Sequence, residues 1–283
     1  MRKSLLLLPL FFSISTQILS PEENRNRLEN CGIRGKRQKK VLDGQVVPSS
    51  EAPWLVKVNF RGSWASGSLI SSRHVITDSV VIRADNLTRR GCLDRDFWKV
   101  PKRISNGITV SVDEKDYGIL KAYHIGPCSF GMVLLELSSE IPNISPICLP
   151  NPDTQVDLGE YIDLYGLDGP TLAKGTTTVF SCYEIHGDPL FPTPQSEISI
   201  CLDSNVCPGD MGAAFVKKVD DRMVAVAVAG KGDCKTKSLH PQLEIRHFLK
   251  EICHLSGACK ATKRIQKSTV TRRAKKLKNL KKP

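Results

Sequence analysis

Apolar and polar residues alternate over residues 53–60, Pro-Trp-Leu-Val-Lys-Val-Asn-Phe, with the two-residue period of a strand that has one buried face and one wet face. Residues 130–137 show a different pattern, a nearly continuous apolar run interrupted by Gly131 and Glu136. A run this short predicts a strand covered on both sides. Leu243, Ile245, Phe248, Leu249 and Ile252 recur at near-helical spacing and predict a helix within 241–253 whose apolar stripe packs on a core. Residues 83–118 are basic and irregular, and the pattern places no element there. The body therefore reads as mainly strands closed by one helix.

At the N-terminus, Arg2 and Lys3 precede the apolar run from Leu5 to Phe12, and the small residues Ser13, Ser15 and Ser20 follow. This predicts a secretory signal over residues 1–20. The run is shorter than the roughly 20 residues that cross a bilayer, and no later segment approaches that length. A secreted, extracellular protein without a transmembrane segment is expected. The 10 cysteines suit such a compartment as structural disulfides. Asn86 and Asn143 head glycosylation sequons and are expected on exposed loops.

Residues 21–40 are polar, contain Cys31 and end in the basic run 34–40, which reads as a pro-segment or simply as a charged linker. Charge is more telling at the other end. Residues 260–283 hold eight lysines, three arginines and no acid, so +11 of the formal +12 lies there and the rest of the chain carries +1. Such a tail buries too little apolar surface to fold alone and is expected to be disordered in isolation. Arg272, Arg273, Lys275, Lys276 and Lys278 form its densest part, suited to a sulfated glycan or an anionic surface with salt-sensitive affinity. A merely solubilising tail is the alternative. Leu277 and Leu280 are too sparse for an amphipathic membrane helix, and nucleic acid is not an expected partner of an extracellular chain.

The stretch 206–214, Val-Cys-Pro-Gly-Asp-Met-Gly-Ala-Ala, resembles the nucleophile loop of the chymotrypsin-family serine proteases, Cys-x-Gly-Asp-Ser-Gly-Gly-Pro. Gly209 and Asp210 match, and Met211 stands in the serine's place. The resemblance continues through 53–60, through 65–71 and through 74–81, the strand that in the family ends in the catalytic histidine, here Val80. In 130–137 the family aspartate is Gly131, and 147–150, Ile-Cys-Leu-Pro, is a further signature. Two family disulfides are missing as whole pairs, at Ala65 with Val81 and at the strand over 161–166 with Lys217. His74 is implied to be a packed strand residue. At the specificity pocket, Val228-Ala229-Gly230 and Asn205 replace the trypsin-like elements.

The resemblance implies two packed six-stranded antiparallel β-barrels with a C-terminal helix, spanning residues 41–259. It implies an activation junction between Lys40 and Val41, with Asp210 as partner of the new N-terminus. Oxyanion-like backbone donors fall at Gly209 and Met211. Disulfides are implied between Cys31 and Cys148, Cys182 and Cys201, and Cys207 and Cys234. Cys92, Cys128, Cys253 and Cys259 have no counterpart, and of three possible pairings Cys92 with Cys128 and Cys253 with Cys259 is taken. Around Cys253, His254 and Cys259 the spacing lacks the second pair of a zinc site, so neither metal nor cofactor is expected.

A thioether cannot attack a carbonyl as a deprotonated hydroxyl does. The reading is therefore a catalytically inactive, monomeric serine-protease homologue that binds or regulates an extracellular protein. One alternative is a polyanion- or microbe-binding protein acting through the tail. Another is an active endopeptidase with a non-standard site, for which Ser204 is the nearest serine.

Overall fold

The computed structural model describes residues 18–34, 45–82, 97–127, 131–168, 171–180, 198–204, 206–207, 209–230 and 238–260. It opens with a helix inside the segment read as pro-segment or linker, α1 (Pro21–Asn30). The start is chemically specified. Ser20 Oγ accepts the Glu23 amide while the Glu23 carboxylate accepts the Ser20 amide at 2.6 Å, and Pro21 sits in the first turn. The capping box Ser-x-x-Glu was legible in the sequence and is what the linker reading missed. Leu19 is buried, and its amide donates to the Ser256 carbonyl at 2.9 Å.

After β1 (Gln45–Val46), the first barrel contains β2 (Leu55–Phe60), β3 (Ser63–Leu69), β4 (His74–Asp78), β5 (Phe97–Lys99), β6 (Ile108–Val112), β7 (Lys115–Ile125) and β8 (Met132–Leu137). Its ring runs β7-β6-β2-β3-β4-β8 and closes from β8 back to β7, with β5 added outside β7. The second barrel contains β9 (Tyr161–Asp168), β10 (Thr171–Phe180), β11 (Ser199–Ser204), β12 (Ala214–Val219), β13 (Arg222–Val228) and β14 (Ser238–Glu244). Its ring β10-β11-β14-β13-β12-β9 closes from β9 to β10, and β1 adds to β10. All these pairings are antiparallel, giving two closed six-stranded barrels, a solution that leaves few strand edges to protect.

The apolar patterns find their physical reason in this arrangement. Val56 and Val58 of β2 point into the core while Lys57 and Asn59 are only half-buried. All six residues of β8 are buried, because β4 and β7 flank it and both of its faces are covered.

Two expectations need correction. Residues 97–118 are not irregular: they hold β5, the short helix α2 (Lys102–Ser105), β6 and the start of β7. The β6–β7 hairpin turns on Asp113 and Glu114 with φ of 47° and 63°. Two left-handed residues suit a mirror-type two-residue turn, but Asp-Glu lacks the glycine that usually signals one. The helix predicted within 241–253 begins at Leu249 as α3 (Leu249–Ser256) and ends at Gly257, whose φ is 73°. Residues 241–244 instead complete β14, where Pro241, Gln242 and Leu243 lie opposite Cys201, Ile200 and Ser199. Periodicity could not see that partner strand.

Cys31 is bonded to Cys148 and Cys253 to Cys259, with sulfurs 2.06 and 1.95 Å apart. Cys201 and Cys207 are also in disulfides. Cys92, Cys128, Cys182 and Cys234 lie outside the described residues, as do Asn86, Asn205, the 40–41 junction and the tail beyond Lys260. Asn143 is exposed on a turn with φ of 55°. No described helix is long and apolar enough to cross a membrane.

Candidate functional site

The fold brings the three resemblance-assigned positions to one place where the barrels meet. Val80 lies in the 3-10 turn Ser79–Ile82 that follows β4, Gly131 directly precedes β8, and Met211 sits in the loop between β11 and β12. Backbone hydrogen bonds tie them together. The Ser79 amide donates to the Gly131 carbonyl at 3.1 Å, and the Ser66 amide donates to the Met211 carbonyl at 2.8 Å. Thr77 Oγ1, on β4, donates to the Ser66 carbonyl at 2.6 Å and joins the two halves.

The loop around Met211 is built from its own polar groups. Asp210 Oδ2 accepts the Cys207 amide at 2.9 Å, the Asp210 amide donates to the Cys207 carbonyl at 2.8 Å, and Ser66 Oγ donates to the Gly209 carbonyl at 2.7 Å. Gly212 adopts φ of 90°, and a side chain there would overlap the Ser66 carbonyl oxygen and Thr77 Oγ1. Only glycine fits. Gly212 and Ala213 donate to the carbonyls of Ala229 and Asp210 at 2.7 and 2.9 Å. Among the described residues no acceptor takes the amides of Gly209 and Met211, the two expected oxyanion-like donors.

Asp210 lies against Gly166 of β9, so close that a Cβ there would overlap its carboxylate. The register Phe215↔Leu164 and Val216↔Asp163 brings the strand that carries Lys217 alongside β9. Lys217 Nζ then reaches Glu160 Oε2 at 2.8 Å and the Gln155 carbonyl at 2.9 Å. A partly buried ion pair thus occupies the place of one absent disulfide, while the other absent pair, Ala65 and Val81, is buried aliphatic packing.

The chemistry of the three side chains is simple. Val80 packs on an apolar cluster that runs through both barrels, and Met211 packs partly buried on a smaller cluster of the second barrel. Neither can relay a proton. At Gly131 the space is filled: a Cβ there would lie 2.5 Å from Cε1 and 2.6 Å from Nε2 of His124, and 2.7 Å from the Ile125 carbonyl oxygen. His124, on β7, is fully buried and stacked on Trp98 with ring centroids 5.8 Å apart. Sequence reading overlooked this imidazole, because its contact with Gly131 depends on how β7 and β8 turn back on each other. His124 has no exposed face from which to serve a substrate.

His74 is the other buried imidazole. Ser71 Oγ accepts the amides of Arg73 and His74, at 3.1 and 3.0 Å, so its hydroxyl proton goes to His74 Nδ1 2.8 Å away. The ring is neutral, its pKa driven down to about 3 by burial, with Arg73 and Lys121 adding to the effect. At the pocket wall Gln242, also buried, accepts the Gly230 amide at 2.6 Å, so this donor is already engaged. Among the described residues no three His, Cys, Asp or Glu side chains are grouped as a metal site.

Comparison with known proteins agrees with this architecture. Residues 4–259 match the family described as the nematode trypsin-6-like family. The chain is also 25% identical over 262 residues to phenoloxidase-activating factor 1 of Holotrichia diomphalia, an alignment that covers 81% of this chain. It spans 66%, about two thirds, of that relative's length.

Proposed function

The chain belongs to the nematode trypsin-6-like family, and from that premise we propose that it is a secreted, catalytically inactive serine-protease homologue that binds or regulates an extracellular protein. The observation that carries this reading is the filled space at Gly131. Loss of a serine alone is one substitution away from repair, whereas here the room for an orienting carboxylate holds the buried ring of His124. With Val80 and Met211 in the other two places, base, orienter and nucleophile are all replaced. What survives is the scaffold and the amides of Gly209 and Met211, which no acceptor takes among the described residues and which suit holding a carbonyl without cleaving it. The name of the Holotrichia relative concerns activation of phenoloxidase; for this chain it supports a role beside an extracellular enzyme.

On this reading the domain over 41–259 keeps the segment before it. Cys31–Cys148 fastens that segment covalently, so cleavage after Lys40 would nick the chain without releasing α1. The secreted protein, treated with trypsin and freed of it, is expected to take no label from a serine-directed phosphonate and to hydrolyse no peptide ester. Labelling that vanishes when Ser204 or another single serine is replaced would overturn the proposal and favour the active endopeptidase.

A further inference from the structure

α1 does more than hang on a disulfide. Arg27 is almost completely buried, Nε donating to Asn24 Oδ1 at 2.9 Å and Nη2 to the Cys259 carbonyl at 2.8 Å. Nη1 is buried without an acceptor. No carboxylate pairs with this guanidinium among the described residues, and burial pulls its pKa down to about 10. A buried cation held only by neutral oxygens is costly, and an anion is its natural complement.

Arg27 lines a groove of about 420 Å³ between α1, the segment after Cys148 and α3. Leu149, Arg246, His247, Lys250 and Lys260 line the same groove, and no acid among the described residues does. Glu244 lies behind Arg246 and His247, at 2.7 and 3.2 Å, and offsets those two only. Lys250 and Lys260 are exposed and have no partner among the described residues.

We infer that this groove is an anion-binding site on the folded body, and that its ligand is a sulfated sugar unit of an extracellular polysaccharide. A concave site of this size admits a saccharide ring, whereas a flat anionic membrane would meet the rim lysines and leave Arg27 untouched. The inference goes beyond the tail reading and stands even if the tail binds nothing.

The test uses the full-length secreted protein and a heparin-derived tetrasaccharide, read by hydrogen exchange. Binding is expected to slow exchange in peptides covering residues 21–31 and 249–259, where a ligand confined to the tail would not. Lys250→Glu combined with Lys260→Glu, both at exposed positions that leave the fold intact, is expected to weaken the saccharide on the order of tenfold. Arg27→Gln is a second variant, informative only alongside a thermal midpoint showing that it folds. Unchanged exchange in both segments, or protection that persists undiminished in the double variant, would overturn the site. Equal protection by anionic phospholipid vesicles would overturn the choice of a sulfated sugar. Tail-dependent retention on heparin with no groove protection would leave the tail reading standing and sink this one.

Discussion

Gly131→Ala is the sharpest probe of the candidate site. The added methyl would sit 2.5 and 2.6 Å from His124 ring atoms and 2.7 Å from the Ile125 carbonyl oxygen. Ordinary contact begins near 3.4 Å, so the ring must retreat by close to an ångström. It has little freedom to do so, being fully buried and stacked on Trp98 at 5.8 Å. Overpacking of this kind costs about 1–3 kcal/mol. In a domain of this size the same change lowers the thermal midpoint by about 2–4 °C per kcal/mol. His124→Ala removes the ring, leaving only the Ile125 carbonyl oxygen against the methyl, and opens a cavity with its own cost of about 2–4 kcal/mol. The informative quantity is the coupling in the double variant, measured by urea unfolding. The double variant is expected to lose at least about 1 kcal/mol less than the two single losses combined. A neutral Gly131→Ala, or strict additivity, would refute the claim that His124 occupies the orienter's space. Gly131→Asp, introduced together with Val80→His and Met211→Ser, would then be expected to yield peptidase activity after all.

Further outcomes follow from the same coordinates. His74 is neutral when folded, with its pKa near 3, and titrates near 6.5 when unfolded. The unfolded chain therefore binds a proton first as pH falls, and stability is lost between about 6.5 and 3, by up to about 1.4 kcal/mol per pH unit. His74→Phe should reduce the loss measured by urea midpoints at pH 7 and pH 5, and an equal loss in both proteins would contradict the assignment. Replacing Cys31 and Cys148 by serine opens a link spanning 117 residues and should cost about 2–5 kcal/mol in thermal unfolding. A cost below about 1 kcal/mol would mean that α1 is held by its hydrogen bonds and ion pairs alone. After a tryptic nick within 35–40, a fragment carrying α1 should separate on a denaturing gel only when reduced; separation without reductant would exclude the Cys31–Cys148 bridge in the secreted protein.

What could be read from the chain alone was whatever depends on neighbours in sequence. Alternation over 53–60 announces β2, the apolar run over 132–137 announces β8, and Gly209-Asp210-Met211 announces a nucleophile-type loop without its nucleophile, because each is a local pattern of side chains on one short segment. Even the cap of α1 was written there, in Ser20 and Glu23. Only the tertiary structure decided the rest. That Gly131 faces His124, that 241–244 is strand rather than helix, and that Arg27 meets Lys250 and Lys260 across one groove are consequences of barrel closure and of a disulfide between residues 31 and 148. Contacts between segments far apart in the chain are selected by the joint burial of many side chains, and no local period or motif records which distant partner a residue will meet.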